Sequence, residues 1–493
     1  MAGPGPAVPV FPASKPRCWA VSGLLRNHTA SRSRHSGDHA VTLQRLPVTG
    51  SRGGGHGQSK QKPETKQLRN RRICYEKSDV HSGEIKALTG LRIVAAVWVV
   101  LFHFRPMLHD AAPGFGDALA PVLNCGAQGV DLFFILSGFV LTWNYLDRMG
   151  PAWSGRAAVH FLWLRLARVW PVYLVTLHLA ALWVIFTLYI GHVPPQDTSQ
   201  LTAMSYVRQL LLVQLWFQPY FDGSSWDGPA WSISAEWLAY LIFALLVVVI
   251  FRVAHASRAR TLMVLAVACS LPPMVLLLVS GHFYTPWSWL PRIVMQFTAG
   301  ALVAAAVRRL QLSDRARRGT GYLSALLTVT IVAVLYLFAA HPVPGMIDSG
   351  GLVDVLFVPL VATLAVGAGT LPWLLSTGPL MFGGRISFCL YMVHELVHTA
   401  WGWAAAQFEL TLAGTGGKLV VGGLLAIAAG AAVLLFYVVE EPARQWMRRM
   451  VDVSKPKTDP KTDSDAEKVP GRLRSIDGAA EGRQKAAATA HAV

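Results

Sequence analysis

Apolar runs of about 20 residues recur between about residues 88 and 440 of this 493-residue chain, and that feature limits the fold more than any other. A helix of about 20 apolar residues crosses a hydrocarbon core of about 30 Å, and in lipid only helices and closed barrels satisfy all of their own backbone hydrogen bonds. The runs predict ten spans, roughly 88–108, 127–146, 169–190, 231–251, 260–280, 289–307, 321–340, 351–370, 385–406 and 417–439. The expectation is an all-α, polytopic membrane protein with about ten transmembrane helices. Composition agrees: 53% of residues are hydrophobic and only 14% are charged, against about 25% charged in a soluble domain. The apolar stretch from Tyr206 to Trp216 is shorter and carries Arg208, so it reads as an interfacial helix rather than a span.

The formal net charge of +17 is a topology signal, not a nucleic-acid footprint. Basic residues sit in the two tails and in alternate loops. Arg148, Arg156, Arg165 and Arg168 follow span two, Arg252, Arg258 and Arg260 follow span four, Arg308, Arg309, Arg315, Arg317 and Arg318 follow span six, and Arg444, Arg448 and Arg449 follow span ten. The other loops are nearly bare of Lys and Arg. The cytoplasmic bias of basic loops then predicts a multi-pass protein of the plasma membrane with both termini cytoplasmic. Residues 1–84, rich in Gly, Pro, Ser, Arg and His, read as a disordered basic arm, 85–450 as the membrane domain, and 451–493 as a second disordered, solvated tail. Cys18, Cys74, Cys125, Cys269 and Cys389 are scattered without CxxC spacing, which implies neither a disulfide framework nor a zinc ribbon.

Ionisable groups inside spans are costly and therefore mark function. In LTGLRIVAAVWVVLFHF, Arg92 and His103 are eleven residues apart. Eleven helical steps return to nearly the same face and rise about 16 Å, so both groups face one way near opposite ends of span one. Asp131 opens span two at about the depth of His103. Arg165 and Arg168, three apart, share a helix face; they suit an anionic phosphate donor or anchor the topology, and spacing alone leaves both readings open. Glu236 lies about one and a half turns inside span four, after the Trp-rich segment SSWDGPAWSISAEW. Those tryptophans form an interfacial belt or line a sugar site. Span nine contains HELVH, residues 394–398, with the spacing of a zinc-protease helix. Glu440-Glu441-Pro442, beside Arg444, reads as a structural lock at the end of span ten.

Six blocks together resemble the acyltransferase family three membrane proteins, over about residues 86–450. LTGLRIVAAVWVVLFHF resembles the opening block, with its Arg and His at Arg92 and His103. GVDLFFILSGFVLT is similar to the second block, RLARVWPVY to the paired arginines, WSISAEWLAY to the block with the glutamate, GRISFCLYMVHE to the penultimate block and EEPARQWMRR to the closing one. In the penultimate block His394 occupies the family's histidine position, so Glu395 and His398 complete a zinc motif by coincidence. No third metal ligand stands out in the sequence, and no bound metal or cofactor is expected.

The resemblance implies a ten-helix enzyme that transfers an acyl group, usually from acyl-coenzyme A, to a hydroxyl of a polysaccharide, glycolipid or glycosylated natural product such as a macrolide. The Ala, Arg and Gly bias suggests an actinobacterial source. Acyl transfer needs a base for the acceptor and donors for the developing oxyanion. His103 is the candidate base, oriented by Asp131 or Glu236, while Arg92, Arg165 and Arg168 hold the donor's phosphates and His394 joins the substrate-binding set. The partners implied are acyl-coenzyme A, a hydroxyl-bearing acceptor and the lipid bilayer, with no nucleic acid. The alternative is a transporter or flippase using Arg92, His103 and Asp131 as a polar path, although no inverted repeat or pair of broken helices is evident.

Overall fold

The structure, a computed structural model, describes residues 83–191, 200–220 and 226–452. The arm expected over 1–84 and the tail expected over 451–493 lie outside the described residues, apart from two residues at each inner edge. Every described element is helical: α1 (Lys86–Ala111), α2 (Pro113–Leu123), α3 (Gln128–Met149), α4 (Gly155–Tyr189), α5 (Ala203–Leu210), α6 (Ala230–Ala256), α7 (Ala259–Ser280), α8 (Trp289–Val307), α9 (Asp314–Ala340), α10 (Asp354–Val366), α11 (Thr370–Leu375), α12 (Gly378–Phe408), α13 (Gly414–Leu435) and α14 (Glu441–Asp452). A 3₁₀ turn at Ser349–Val353 leads into α10, and a π-helical turn at Phe436–Glu440 joins α13 to α14.

Ten of these helical stretches are long and apolar enough to cross a membrane, one for each expected span. The main departure is the third. The sequence predicts a span at 169–190, with Arg165 and Arg168 in the preceding loop, whereas α4 is helical from Gly155, where Ser154 accepts a hydrogen bond from the Ala157 amide at 3.4 Å. The two arginines are therefore three turns inside the helix. Charge does not end it because their side chains turn into a cavity rather than toward lipid. The interfacial helix expected at Tyr206–Trp216 is also shorter. α5 stops at Leu210, and the chain then folds inward, burying Leu212, Gln214 and Leu215.

The bundle is built around α3 and α8, whose contact is the most extensive, and around the pair α1 and α12. α8 is rich in alanine, so neighbouring backbones approach closely, which is how helices associate where lipid removes the hydrophobic drive. Gly138 of α3 lies against α8, and a Cβ there would come within 1.9 Å of the Phe297 carbonyl oxygen. α1 and α12 meet in the same manner. A Cβ on Gly384 would lie 1.9 Å from the Thr89 carbonyl oxygen, and one on Gly383 would strike Ile93. From Ile93 and Gly383 the two helices rise ten and eleven residues to His103 and His394, equal climbs of about 15–16 Å at 1.5 Å per residue. This contact sets two distant histidines side by side.

Candidate active site

Among the described residues, two adjoining cavities hold the candidate side chains. The larger, about 660 Å³, is lined by Arg92, Arg165, Arg168, Arg385, Arg444 and Arg448, with Glu236 among them. The smaller, about 230 Å³, is lined by His103, Glu395, Trp231 and Tyr284. Val130 and Tyr391 belong to the walls of both, so the two cavities abut there.

In the larger cavity the arginines differ in their commitments. Arg168 is ion-paired with Glu440, which is fully buried on the π-helical turn and also accepts from Cys389 Sγ at 3.2 Å. Its guanidinium therefore ties α4 to the end of the last span while still lining the cavity. A π turn adds a residue to the helix and re-aims the side chains beyond it, and here it delivers Glu440 inward. Arg165 donates to the Tyr145 hydroxyl at 3.3 Å, and its Nε is buried with no partner among the described residues. Arg92 faces the same space near Glu236 and Arg165.

Glu236 accepts from the Ser137 hydroxyl at 2.5 Å and the Tyr240 hydroxyl at 2.6 Å. It lines the arginine cavity, not the one that holds His103. The expectation that it orients His103 is corrected: α6 starts at Ala230, and the turn it makes before Glu236 aims the carboxylate at α3. Asp131 is corrected too. It is fully buried and receives two hydrogen bonds from Arg292, Nε to Oδ1 at 3.1 Å and Nη2 to Oδ2 at 2.5 Å. The Gln128 amide, turned with its nitrogen toward the carboxylates, donates to Asp131 at 3.2 Å and to Asp354 at 3.3 Å. Asp131 belongs to a buried polar brace between α3, α8 and α10.

His103 finds its partner on α12. His394 Nδ1 lies 2.6 Å from the Tyr391 carbonyl oxygen. A carbonyl only accepts, so that nitrogen carries the proton and Nε2 keeps its lone pair. His103 Nδ1 lies 3.3 Å from this bare Nε2 and 2.9 Å from the Val99 carbonyl oxygen. Both neighbours are acceptors, so His103 carries its proton on Nδ1, and its Nε2 is left basic. His394 is fully buried behind His103 and lines neither cavity. Expected in the substrate-binding set, it is found instead against the His103 ring.

HELVH is not arranged as in a zinc protease, where both histidines ligate and the glutamate stays free. His398 Nδ1 instead meets Glu395 Oε1 at 3.3 Å. The fold does supply what the sequence lacks, a third donor. Donor atoms of His103, His394 and Glu395 all lie within 4.8 Å of one another, a grouping with room for a metal ion. Both Nδ1 atoms face backbone carbonyls, an arrangement shared by metal-binding and base-acting histidines alike.

A basic imidazole, backed by a second ring and opening on one cavity above a cavity of arginines, is the equipment of a membrane-embedded group-transfer enzyme. A family profile described as an acyltransferase domain matches residues 85–441. The chain belongs to this acyltransferase family three, and it is a multi-pass membrane enzyme that transfers acyl groups. It is similar to acyltransferase MdmB of Streptomyces mycarofaciens, 28% identical over 399 residues that cover 77% of this chain and 96% of the relative. It is also similar to protein 2 in the picA locus of Rhizobium radiobacter, 30% identical over 206 residues, 40% of this chain and 94% of the relative. No solved structure matches the chain.

Proposed function

We propose that this enzyme is an O-acyltransferase that moves an acyl group from acyl-coenzyme A to a hydroxyl of a glycan, a glycolipid or a glycosylated natural product of macrolide type. The observation that carries the reading is the His103–His394 pair, which leaves His103 Nε2 unprotonated at the smaller cavity, next to a cavity lined by Arg92 and by Arg165 with its unpartnered Nε. Planar, permanently charged guanidinium groups suit the phosphates of coenzyme A. The donor enters from the arginine-rich face, taken as cytoplasmic, and its thioester reaches past Val130 and Tyr391 toward His103. The membrane is the plasma membrane, with both termini cytoplasmic.

The acceptor lies in the smaller cavity. His103 Nε2 takes its hydroxyl proton as the oxygen attacks the thioester carbonyl carbon. The oxyanion collapses, the C–S bond breaks, and the imidazolium returns the proton to the departing thiolate. No net proton is consumed. The test is transfer from radiolabelled acetyl-coenzyme A, by purified protein in nanodiscs, to a panel of methyl glycosides and a macrolide, with the product located by mass spectrometry. An ester on a sugar or macrolide hydroxyl is expected. Movement of a lipid-linked glycan across the bilayer without any ester would contradict the reading and favour a flippase.

A further inference from the structure

Glu395 is the part of HELVH that the transfer chemistry leaves unused. Its Oε1 is held by His398 Nδ1 at 3.3 Å, which aims the carboxylate. Its Oε2 is buried and has no hydrogen-bond partner among the described residues. The residue lines the same 230 Å³ cavity as His103, and a carboxylate oxygen lies within 4.8 Å of the His103 and His394 donor nitrogens. A buried acceptor atom without a donor is unfavourable, more so on a charged group, and native proteins rarely leave one without a purpose.

We infer that Glu395 is an acceptor-binding residue whose Oε2 takes a hydrogen bond from a second donor group on the acceptor, beside the hydroxyl that His103 deprotonates. This rests on the acyl-transfer reading above. The proton count makes the second donor necessary. A hydroxyl has one proton, and in the reactive pose that proton points at His103. The same oxygen turned toward Glu395 would set lone pairs against a carboxylate. A neighbouring hydroxyl or amino group on the same sugar brings a proton of its own. Two vicinal heteroatoms, each in a hydrogen bond of ordinary length, about 2.7–2.8 Å, suit two side chains that line one cavity. The acceptor class that fits is therefore a sugar with a donor vicinal to the acylated hydroxyl, and a monodeoxy analogue is discriminated against.

The experiment compares the full-length wild type with Glu395→Gln and His398→Ala in nanodiscs. Acetyl-coenzyme A is the donor, and the acceptors are methyl glycosides with all hydroxyls, each beside its monodeoxy analogues. A hydrogen bond to a charged group corresponds to about 10- to 100-fold in equilibrium. The wild type should favour the full glycoside over the analogue lacking the vicinal hydroxyl by about that factor in kcat/KM. Glu395→Gln should lose it mainly through KM for the full glycoside, with a clearly smaller change for the deoxy analogue. His398→Ala, which frees the carboxylate to swing, should show a smaller loss in the same direction. Equal loss on both acceptors means that Glu395 is structural, and retention of the preference in Glu395→Gln overturns the inference outright. Stoichiometric metal in the wild type that disappears in Glu395→Gln would also overturn it, because the free oxygen would then be a metal ligand. Transfer neither to the glycosides nor to a macrolide run beside them contradicts the underlying reading instead.

Discussion

Asp131 and Arg292 face each other across α3 and α8 in a two-pronged ion pair, with Asp131 fully buried and Arg292 1% exposed. The rings of Phe283 and Tyr284 lie 4.4 and 5.0 Å from the guanidinium carbon. Removing one partner of such a pair strands a buried charge and costs about 3–5 kcal/mol, while removing both is often tolerated. Asp131→Ala and Arg292→Ala should each lower the yield of folded protein severely. The double variant Asp131→Leu, Arg292→Met should recover much of it. Fluorescence-detected size exclusion checks the outcome. Normal abundance with lost turnover in Asp131→Asn would show that Asp131 acts in the reaction.

The same logic separates the paired arginines of α4. Arg168, bound to Glu440, should behave as structural: Arg168→Ala loses abundance, and adding Glu440→Gln restores part of it. Arg165→Lys keeps the charge but loses the planar fork. It should fold normally and raise KM for acetyl-coenzyme A about tenfold, as steady-state kinetics would report. Full tolerance of Lys at 165 would make that arginine an anchor only.

The spans were legible because each needs only its own run of apolar residues. So was the common face of Arg92 and His103, a matter of helical period. Partners were not. His103 meets His394 across 291 positions, and no local rule links them, since the link is the close approach of α1 to α12 at Gly384. Arg292 and Asp354 carried the signal that drew attention to Asp131, an ionisable group inside an apolar span, and the same rule applied to spans 289–307 and 351–370 would have found them. Glu440 was readable as a lock, but not its key, because the span expected at 169–190 left Arg168 outside the membrane helix.

Asp227, in the turn before α6, gives a pH signature of stability. Burial pushes its carboxyl up from an ordinary 3.8 to about 7, although the bond from Thr176 at 3.3 Å acts in the opposite sense. Between about pH 4 and 7 the folded state keeps a proton that the unfolded chain has lost, so stability falls as pH rises through that window and levels off above it. Asp227→Asn should flatten this slope and raise the melting temperature at pH 8 by several degrees, on the order of 2–4 °C per kcal/mol. Thermal unfolding from pH 4 to 8 tests it. An unchanged slope would mean that Asp227 is ionised in the fold.

Metal removal should be inconsequential. Dialysis against a chelator is expected to leave transfer from acetyl-coenzyme A within about twofold, since His103 acts as a general base and not as a ligand. Loss of activity on chelation, restored by zinc, would make His103, His394 and Glu395 a metal centre.

The most direct measurement is the turnover of His103→Gln with saturating acetyl-coenzyme A and acceptor. Gln preserves size and a hydrogen-bonding amide but cannot take a proton. A positioned general base contributes about 10² to 10⁴ in rate, so turnover should fall by at least about a hundredfold while abundance and melting temperature stay near wild type. His394→Gln should show a smaller fall, because it removes the ring that holds His103 rather than the base itself. Wild-type turnover in His103→Gln would contradict the assignment and leave His103 as a residue that only positions a substrate.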